Sequence, residues 1–293
     1  MLVAIRVTTS LLKLRIGVAI ALSALAGMAA TQGPGLTLAQ VLAFALAVLG
    51  ASSAAGAFNH YYERDLDRLM ARTRTRPFAS GLLKPGWIWP FSFLALLVAS
   101  LVLAYAVAGG LATMFIFLGA FTYGVVYTVW LKRRSVWNIV VGGLAGSFAL
   151  LAGAAAVDPL LQPAPIFLAI VMFLWTPPHF WSLAAAKSRD YTTADVPMLP
   201  LTASQRFWTL AILAHTAALA VLSLVPLAYG MGLIYGIGAT AGGTFFLWRS
   251  WQLYRVPTRK TAMANFRASL VQLTLLIAAV PADKALRIVP WFV

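Results

Sequence analysis

From Ile16 to Ala282 the sequence is dominated by apolar stretches of around twenty residues, nearly free of charge and separated by short polar connections. A stretch of that length crosses the hydrocarbon core of a bilayer as an α-helix, and helices satisfy every backbone polar group internally. We read spans at 16–31, 36–57, 87–108, 111–131, 136–157, 165–186, 205–229, 231–248 and 267–282. The expected fold class is therefore all-α: a polytopic membrane protein of about nine transmembrane helices, with residues 1–293 forming one integral membrane domain. Composition excludes a soluble enzyme, since 61% of residues are hydrophobic and 10% charged where soluble domains average about half and about a quarter. The first span precedes many others and lacks a small-residue cleavage site, so it is expected to be a retained helix rather than a signal peptide.

Charge then orients the spans. Twenty of the 22 Lys and Arg fall on alternate connections, beginning with the N-terminal Arg6, Lys13 and Arg15, and only Lys284 and Arg287 fall on the other side. Cytoplasmic loops of membrane proteins are enriched in these residues. The N-terminus is thus expected in the cytoplasm, and the net charge of +15 needs no nucleic-acid partner. The absence of cysteine excludes disulfides, thiolate nucleophiles and cysteine-ligated metals. Chemistry is left to carboxylates, histidines and cations.

The seven acids are scarce enough to be informative. Asp158 and Asp283 lie on the outer side beside Pro159 and Lys284 and read as solvated loop residues. The other five form two groups on cytoplasmic connections: Glu63, Asp65 and Asp67, then Asp190 and Asp195. Carboxylates near a membrane are costly and face an interior or a polar cavity. If the second helix continues through the first group, Asn59, Glu63 and Asp67 recur every four residues, each step turning only about 40°. An amide and two carboxylates on one face offer the hard oxygen ligands that Mg²⁺ prefers, with water and substrate phosphate completing its shell. Asp65 points away from that face and is expected to pair with Arg68 or meet water.

Before the second group, Pro177 and Pro178 interrupt an apolar run and should kink or open the sixth helix. His179 follows them, and Leu183, Lys187 and Asp190 continue at helical spacing toward the cytoplasmic rim. His179 reads equally as a functional group or as a histidine bonded to a carbonyl freed by the prolines. About four helices separate the acid groups, which suggests a doubled four-helix unit bringing both to one mouth. Carboxylates facing each other amid Arg and Lys suit a diphosphate held through Mg²⁺. The physics favours an allylic diphosphate, its leaving group neutralised by metal and cations and its carbocation kept dry among aromatic side chains.

The motifs themselves are familiar. The run from Asn59 to Pro77 resembles N-x-x-x-D-R-D-x-D-x-x-M-x-R-T-x-x-R-P, matching at Asn59, Arg64, Asp65, Asp67, Met70, Arg72, Thr73, Arg76 and Pro77. Thr176 to Pro200 is similar to T-P-P-H-F-W followed by K-x-D-Y-x-x-A-x-x-P-M-L-P, and Tyr127, Thr128, Leu131, Lys132, Arg133, Asn138, Gly142 and Gly143 match a third pattern. Over nearly its whole length the chain resembles the heme O synthase branch of the UbiA superfamily of intramembrane prenyltransferases. It departs at Glu63, where the motif commonly has aspartate, at Leu14, Ala149 and Leu150, where prolines are common, and at Ala194, where the superfamily's partner for Asp190 would stand. Asp195 is one residue out of register and is not expected to ligate.

The resemblance implies farnesyl diphosphate as donor and heme B as acceptor, with Mg²⁺ as cofactor held by Asn59, Glu63 and Asp67 on one side and Asp190 on the other. It implies catalytic roles for Asp67, Asp190 and Lys187, and contacts to the diphosphate from Arg72, Arg76, Lys132, Arg133 and Lys187. His179 becomes a heme candidate, through iron or a propionate, with a structural role the alternative. His60 reads as a rim residue and His215 as a helix-bonded one. The product would be heme O, made at the cytoplasmic face of the plasma (inner) membrane, with terminal oxidase or heme A biosynthesis proteins as further partners besides the lipid bilayer. A quinone precursor is the alternative acceptor. A transporter would instead need polar groups along an outward path, and the outer halves of these spans are almost featureless.

Overall fold

The computed structural model describes residues 2–286, and every regular element among them is helical. Arg287, read above as an outer cation, lies outside the described residues. The first half comprises α1 (Leu2–Leu11), α2 (Leu14–Ala29), α3 (Leu38–Tyr62), α4 (Arg64–Leu69), α5 (Ile88–Phe121), a π-helix (Thr122–Leu131), α6 (Asn138–Gly142) and α7 (Leu144–Val157). The second comprises α8 (Pro163–Ala186), α9 (Ser188–Thr193), α10 (Leu199–Thr202), α11 (Gln205–Leu222), a 3₁₀ turn (Val225–Tyr229), α12 (Leu233–Arg255) and α13 (Arg259–Leu286).

Among the described residues, six helical segments are long and apolar enough to cross a membrane, including the 44 residues Ile88–Leu131. That segment is broken at Gly109, whose φ of 76° is open to glycine and strained for other residues. The break falls in the gap expected between the spans 87–108 and 111–131. Of the other expected spans, α2 is shorter and α12 less apolar than the six. Local chemistry sets several starts. Thr37 and Gln40 form a reciprocal capping box at α3, Pro163 opens α8 where its missing N–H costs nothing, and Ser204 accepts from Phe207 N at α11.

Two groups of helices emerge from the packing. α2, α3, α5 and α7 pack together, as do α8, α11, α12 and α13, and the groups meet where α7 touches α8 and α2 touches α13. The α2–α7 contact needs glycine, because a methyl group on Gly153 would sit 1.7 Å from Ala24 O and one on Gly27 2.0 Å from Leu150 O. Small residues allow such close approach where lipid gives helices no hydrophobic reason to associate. Of the tryptophans near span ends that read as interfacial anchors, Trp87, Trp130, Trp137, Trp248 and Trp251 are exposed, whereas Trp89 is half-buried against Phe78 and Phe93.

Asp283 differs from the sequence expectation. It is buried, and its carboxylate accepts from Gly232 N at 2.5 Å and Tyr235 N at 3.1 Å. The reason is that α13 extends to Leu286 and delivers a cap to the start of α12, whose N-cap, Gly232, has no side chain to supply one. Asp158 does hold a surface turn, accepting from Leu160 N and Gln162 Nε2, each at 2.9 Å. Those bonds, the backbone one first, hold its carboxyl below the usual range.

Candidate active site

The face expected for Asn59, Glu63 and Asp67 exists, although the helix carrying it is not continuous. α3 ends at Tyr62 and α4 begins at Arg64, but Glu63 N donates to Asn59 O at 2.9 Å and Asp67 N to Glu63 O at 2.8 Å, so the four-residue register passes through the joint. All three side chains are buried, at 2%, 4% and 1% exposure. Asp65 stays outside in a loose 3.4 Å pair with Arg68, both side chains more than half exposed. His60, expected on the rim, is instead buried with no partner for its Nδ1 among the described residues, because α3 runs five residues beyond the expected boundary of 57.

Each of the three residues is held by a cation. Lys13 Nζ donates to Asn59 Oδ1 at 2.6 Å and to Tyr123 OH at 2.7 Å. Lys132 Nζ lies 2.5 Å from Glu63 Oε2. Arg76 Nη1 reaches both oxygens of Asp67 at 2.8 Å, while Thr73 Oγ1 bonds Asp67 O and fixes the loop that carries Arg76. The Arg76 and Lys132 pairings compensate the buried carboxylates of Asp67 and Glu63, whereas Lys13 meets a neutral amide and a phenol. Lys13 was read above only as a cytoplasmic cation. Burial, then repulsion from Arg76, pushes its ammonium well below the usual lysine range, with Glu63 acting in the opposite direction.

The π-helix supplies the facing wall. Its bonds run five residues back, as in Lys132 N to Tyr127 O at 2.9 Å. Thr128 Oγ1 accepts from Asn59 Nδ2 at 3.0 Å and itself donates to Tyr123 O. π-helical turns occur often at functional sites, and here the register aligns Tyr123, Thr128 and Lys132. The Tyr123 and Tyr127 rings stack with centroids 5.8 Å apart, with Lys13 and Lys132 near their respective faces at 5.3 and 5.7 Å.

The second acid group lies beside the first. Leu66 and Met70 of the first motif share one buried cluster with Tyr191, Ala194, Val196 and Met198, and Asn138 Nδ2 ties Pro197 O into it at 3.1 Å. Lys187 and Asp190 are half-buried at the α8–α9 joint, and neither forms an ion pair among the described residues. Arg72 and Arg133 are exposed. Asp190 does not close on Glu63 and Asp67, since no three acids or histidines among the described residues stand close enough to hold one ion. Asp195 is exposed and adopts φ 48°, the left-handed turn that ends α9.

The donors nevertheless suit a hard cation. Glu63 Oε1 is buried with no hydrogen-bond partner among the described residues, a costly state for a carboxylate oxygen, and it lies in the same row as Asn59 and Asp67. Deeper in α8, His179 is buried with its ring stacked on Trp175 at 4.2 Å and against Phe266 at 4.6 Å. Its Nδ1 bonds Ser269 Oγ at 2.7 Å, and not a carbonyl freed by the prolines. His215 is helix-bonded as expected, through Nδ1 to Ala211 O at 2.8 Å.

Fold and sequence together define the class. The model of the UbiA prenyltransferase family matches residues 20–275, and the chain belongs to that family. It is 54% identical over 282 residues to Protoheme IX farnesyltransferase 2 of Paramagnetospirillum magneticum, covering 96% of this chain and 98% of that one. Among solved structures, a digeranylgeranylglyceryl phosphate synthase superposes with a TM-score of 0.79 at 15% identity, covering 96% of this chain and 98% of that one. A UbiA homologue from Archaeoglobus fulgidus bound to GPP and Mg²⁺ superposes with a TM-score of 0.72 at 16% identity, covering 94% and 99%. At such identities the structural likeness concerns the fold alone.

Proposed function

We propose that the protein is a protoheme IX farnesyltransferase, transferring the farnesyl group of farnesyl diphosphate to a vinyl group of heme B to give heme O. The observation that carries this reading is the 54% identity, along nearly the full length of both chains, to a relative bearing that name. The buried Asn59, Glu63 and Asp67 row with its three cations supports the donor half of the reaction.

The bond between the farnesyl C1 and its oxygen breaks, leaving an allylic cation and diphosphate. The terminal vinyl carbon of heme B bonds to C1. Water then adds at the carbon next to the porphyrin ring, and its proton leaves to solvent, so the product carries a hydroxyethylfarnesyl group. Arg72, Arg76, Lys132, Arg133 and Lys187 take the diphosphate oxygens, Arg76 by shifting from Asp67 and Lys132 from Glu63. Asp67, Asp190 and Lys187 are the groups on which departure of the leaving group depends. Asn59, Glu63 and Asp67 would hold Mg²⁺ on one side and Asp190 on the other, Asp190 by moving in from the separated position it occupies in this structure; when bound, the ion neutralises charge developing on the diphosphate.

His179 ligates the heme iron. It sits eight residues before Lys187, about 12 Å along the helix, so the acceptor lies deeper among the helices than the leaving group. The chain forms one domain of nine spans with its N-terminus in the cytoplasm, a topology supported by the one-sided distribution of Lys and Arg. The reaction accordingly takes place at the cytoplasmic face of the inner membrane, and the product passes to terminal oxidase or heme A biosynthesis proteins.

Labelled farnesyl diphosphate offered to the purified protein with heme B, or with a quinone-precursor acid, tests the acceptor. Label should move into the porphyrin fraction alone. Transfer to the quinone precursor and not to heme would overturn the assignment.

A further inference from the structure

Ser269 contacts the imidazole of His179 from α13, and its single proton constrains what that ring can present. Its hydroxyl donates to Phe266 O at 2.6 Å. A serine hydroxyl has one proton and two lone pairs, so once that proton is used, Oγ can only accept from His179 Nδ1, 2.7 Å away. The imidazole proton therefore resides on Nδ1. Nε2 is left with a bare lone pair and no hydrogen bond among the described residues, on a residue that is 7% exposed. A neutral histidine in water favours the opposite tautomer, with the proton on Nε2.

The surroundings fix this arrangement. Ser269 is completely buried at 0% exposure, and Trp175 Nε1, one turn before His179, donates to Ser269 O at 2.8 Å. The two bonds clamp one residue of α13 to successive turns of α8 beside the Pro177 and Pro178 pair. Trp175 and Phe266 flank the ring, and Phe180 meets it edge-on at 4.9 Å, so the ring has little freedom to flip.

We propose that Ser269 is a positioning residue for the acceptor: it holds His179 in the Nδ1–H tautomer, so that Nε2 is the nitrogen offered to the heme iron. A partner on one ring nitrogen decides which nitrogen binds metal and raises its basicity. The proposal rests on the reading of His179 as the heme ligand.

Two measurements test it separately from that reading. The chain has three histidines, so ¹⁵N-histidine labelling with His179→Ala for assignment reports the tautomer of the substrate-free protein. The proposal expects the proton on Nδ1 in the wild type and its return toward Nε2 in Ser269→Ala. A wild-type proton on Nε2 overturns it even if Ser269→Ala fails to fold. Ferric heme titration, followed by the Soret band, then measures the effect on binding. Ser269→Ala should bind about 10- to 100-fold more weakly, the usual effect of removing such a partner, and Ser269→Thr, which keeps the hydroxyl, should restore the wild-type spectrum and affinity. If His179→Ala loses the histidine-ligated spectrum while Ser269→Ala binds like wild type, His179 is the ligand and the role of Ser269 is refuted. If His179→Ala keeps that spectrum, the reading of His179 falls and the proposal with it.

Discussion

Lys13 Nζ donates to Asn59 Oδ1 at 2.6 Å across 46 residues of sequence, from a backbone held in the left-handed region at φ 47°. That conformation costs a residue other than glycine about 1–2 kcal/mol, which the bonds to Asn59 and Tyr123 offset. Strain of this kind is concentrated at functional sites.

Lys13→Met should lower turnover by at least about tenfold, the effect of losing roughly 1.4 kcal/mol of interaction in the transition state, without changing membrane insertion. Lys13→Gly should be equally impaired yet more heat-stable than Lys13→Met, because glycine adopts the local backbone freely. Thermal melts beside initial rates check both, and wild-type turnover in Lys13→Met would remove Lys13 from the site.

Asp67→Asn and Asp190→Asn should each reduce turnover by at least about a hundredfold, on the scale of removing a preorganised charge-stabilising group. Asparagine at 67 still accepts from Arg76, so the loop that Arg76 closes should survive. Wild-type rates in either folded variant would count against these residues as metal ligands.

Asp195 should matter to the turn and not to the chemistry. Asp195→Gly is expected to keep turnover within about twofold and to preserve stability, since φ 48° suits glycine. Asp195→Ala should lose about 1 kcal/mol and only a little activity. Complete inactivation of the glycine variant would show that Asp195 reaches the substrate.

Asp283→Ala should destabilise the second helical group by about 1–3 kcal/mol, because it strands the Gly232 and Tyr235 amides. The expected signature is a lower melting temperature with near-normal kcat in the folded fraction. An unchanged melt would mean that water replaces the cap.

What was legible in the sequence followed from local periodicity. The four-residue spacing of Asn59, Glu63 and Asp67 survives a change of helix at Glu63 because the i to i+4 bonds survive. The break at Gly109 falls in the gap read between the spans 87–108 and 111–131. Asp65 and His215 behave as their positions on the helix suggested. The rest depended on contacts that no local pattern encodes. Lys13 reaches Asn59 because the α1–α2 joint turns left-handed, and Lys132 meets Glu63 because the π-helix changes the register. Asp283 is buried because α13 runs past its expected end, while Ser269 is a serine among many until α13 packs on His179. One signal was available for Lys13: a cation just before an uninterrupted apolar helix, opposite a cluster of acids.

The most direct test of the central claim is the mass of the porphyrin after purified protein in lipid is incubated with heme B, farnesyl diphosphate and Mg²⁺. The account predicts hydroxyethylfarnesyl heme, lost on chelation and absent with Asp67→Asn. Unmodified heme B despite folded protein and release of diphosphate would contradict it.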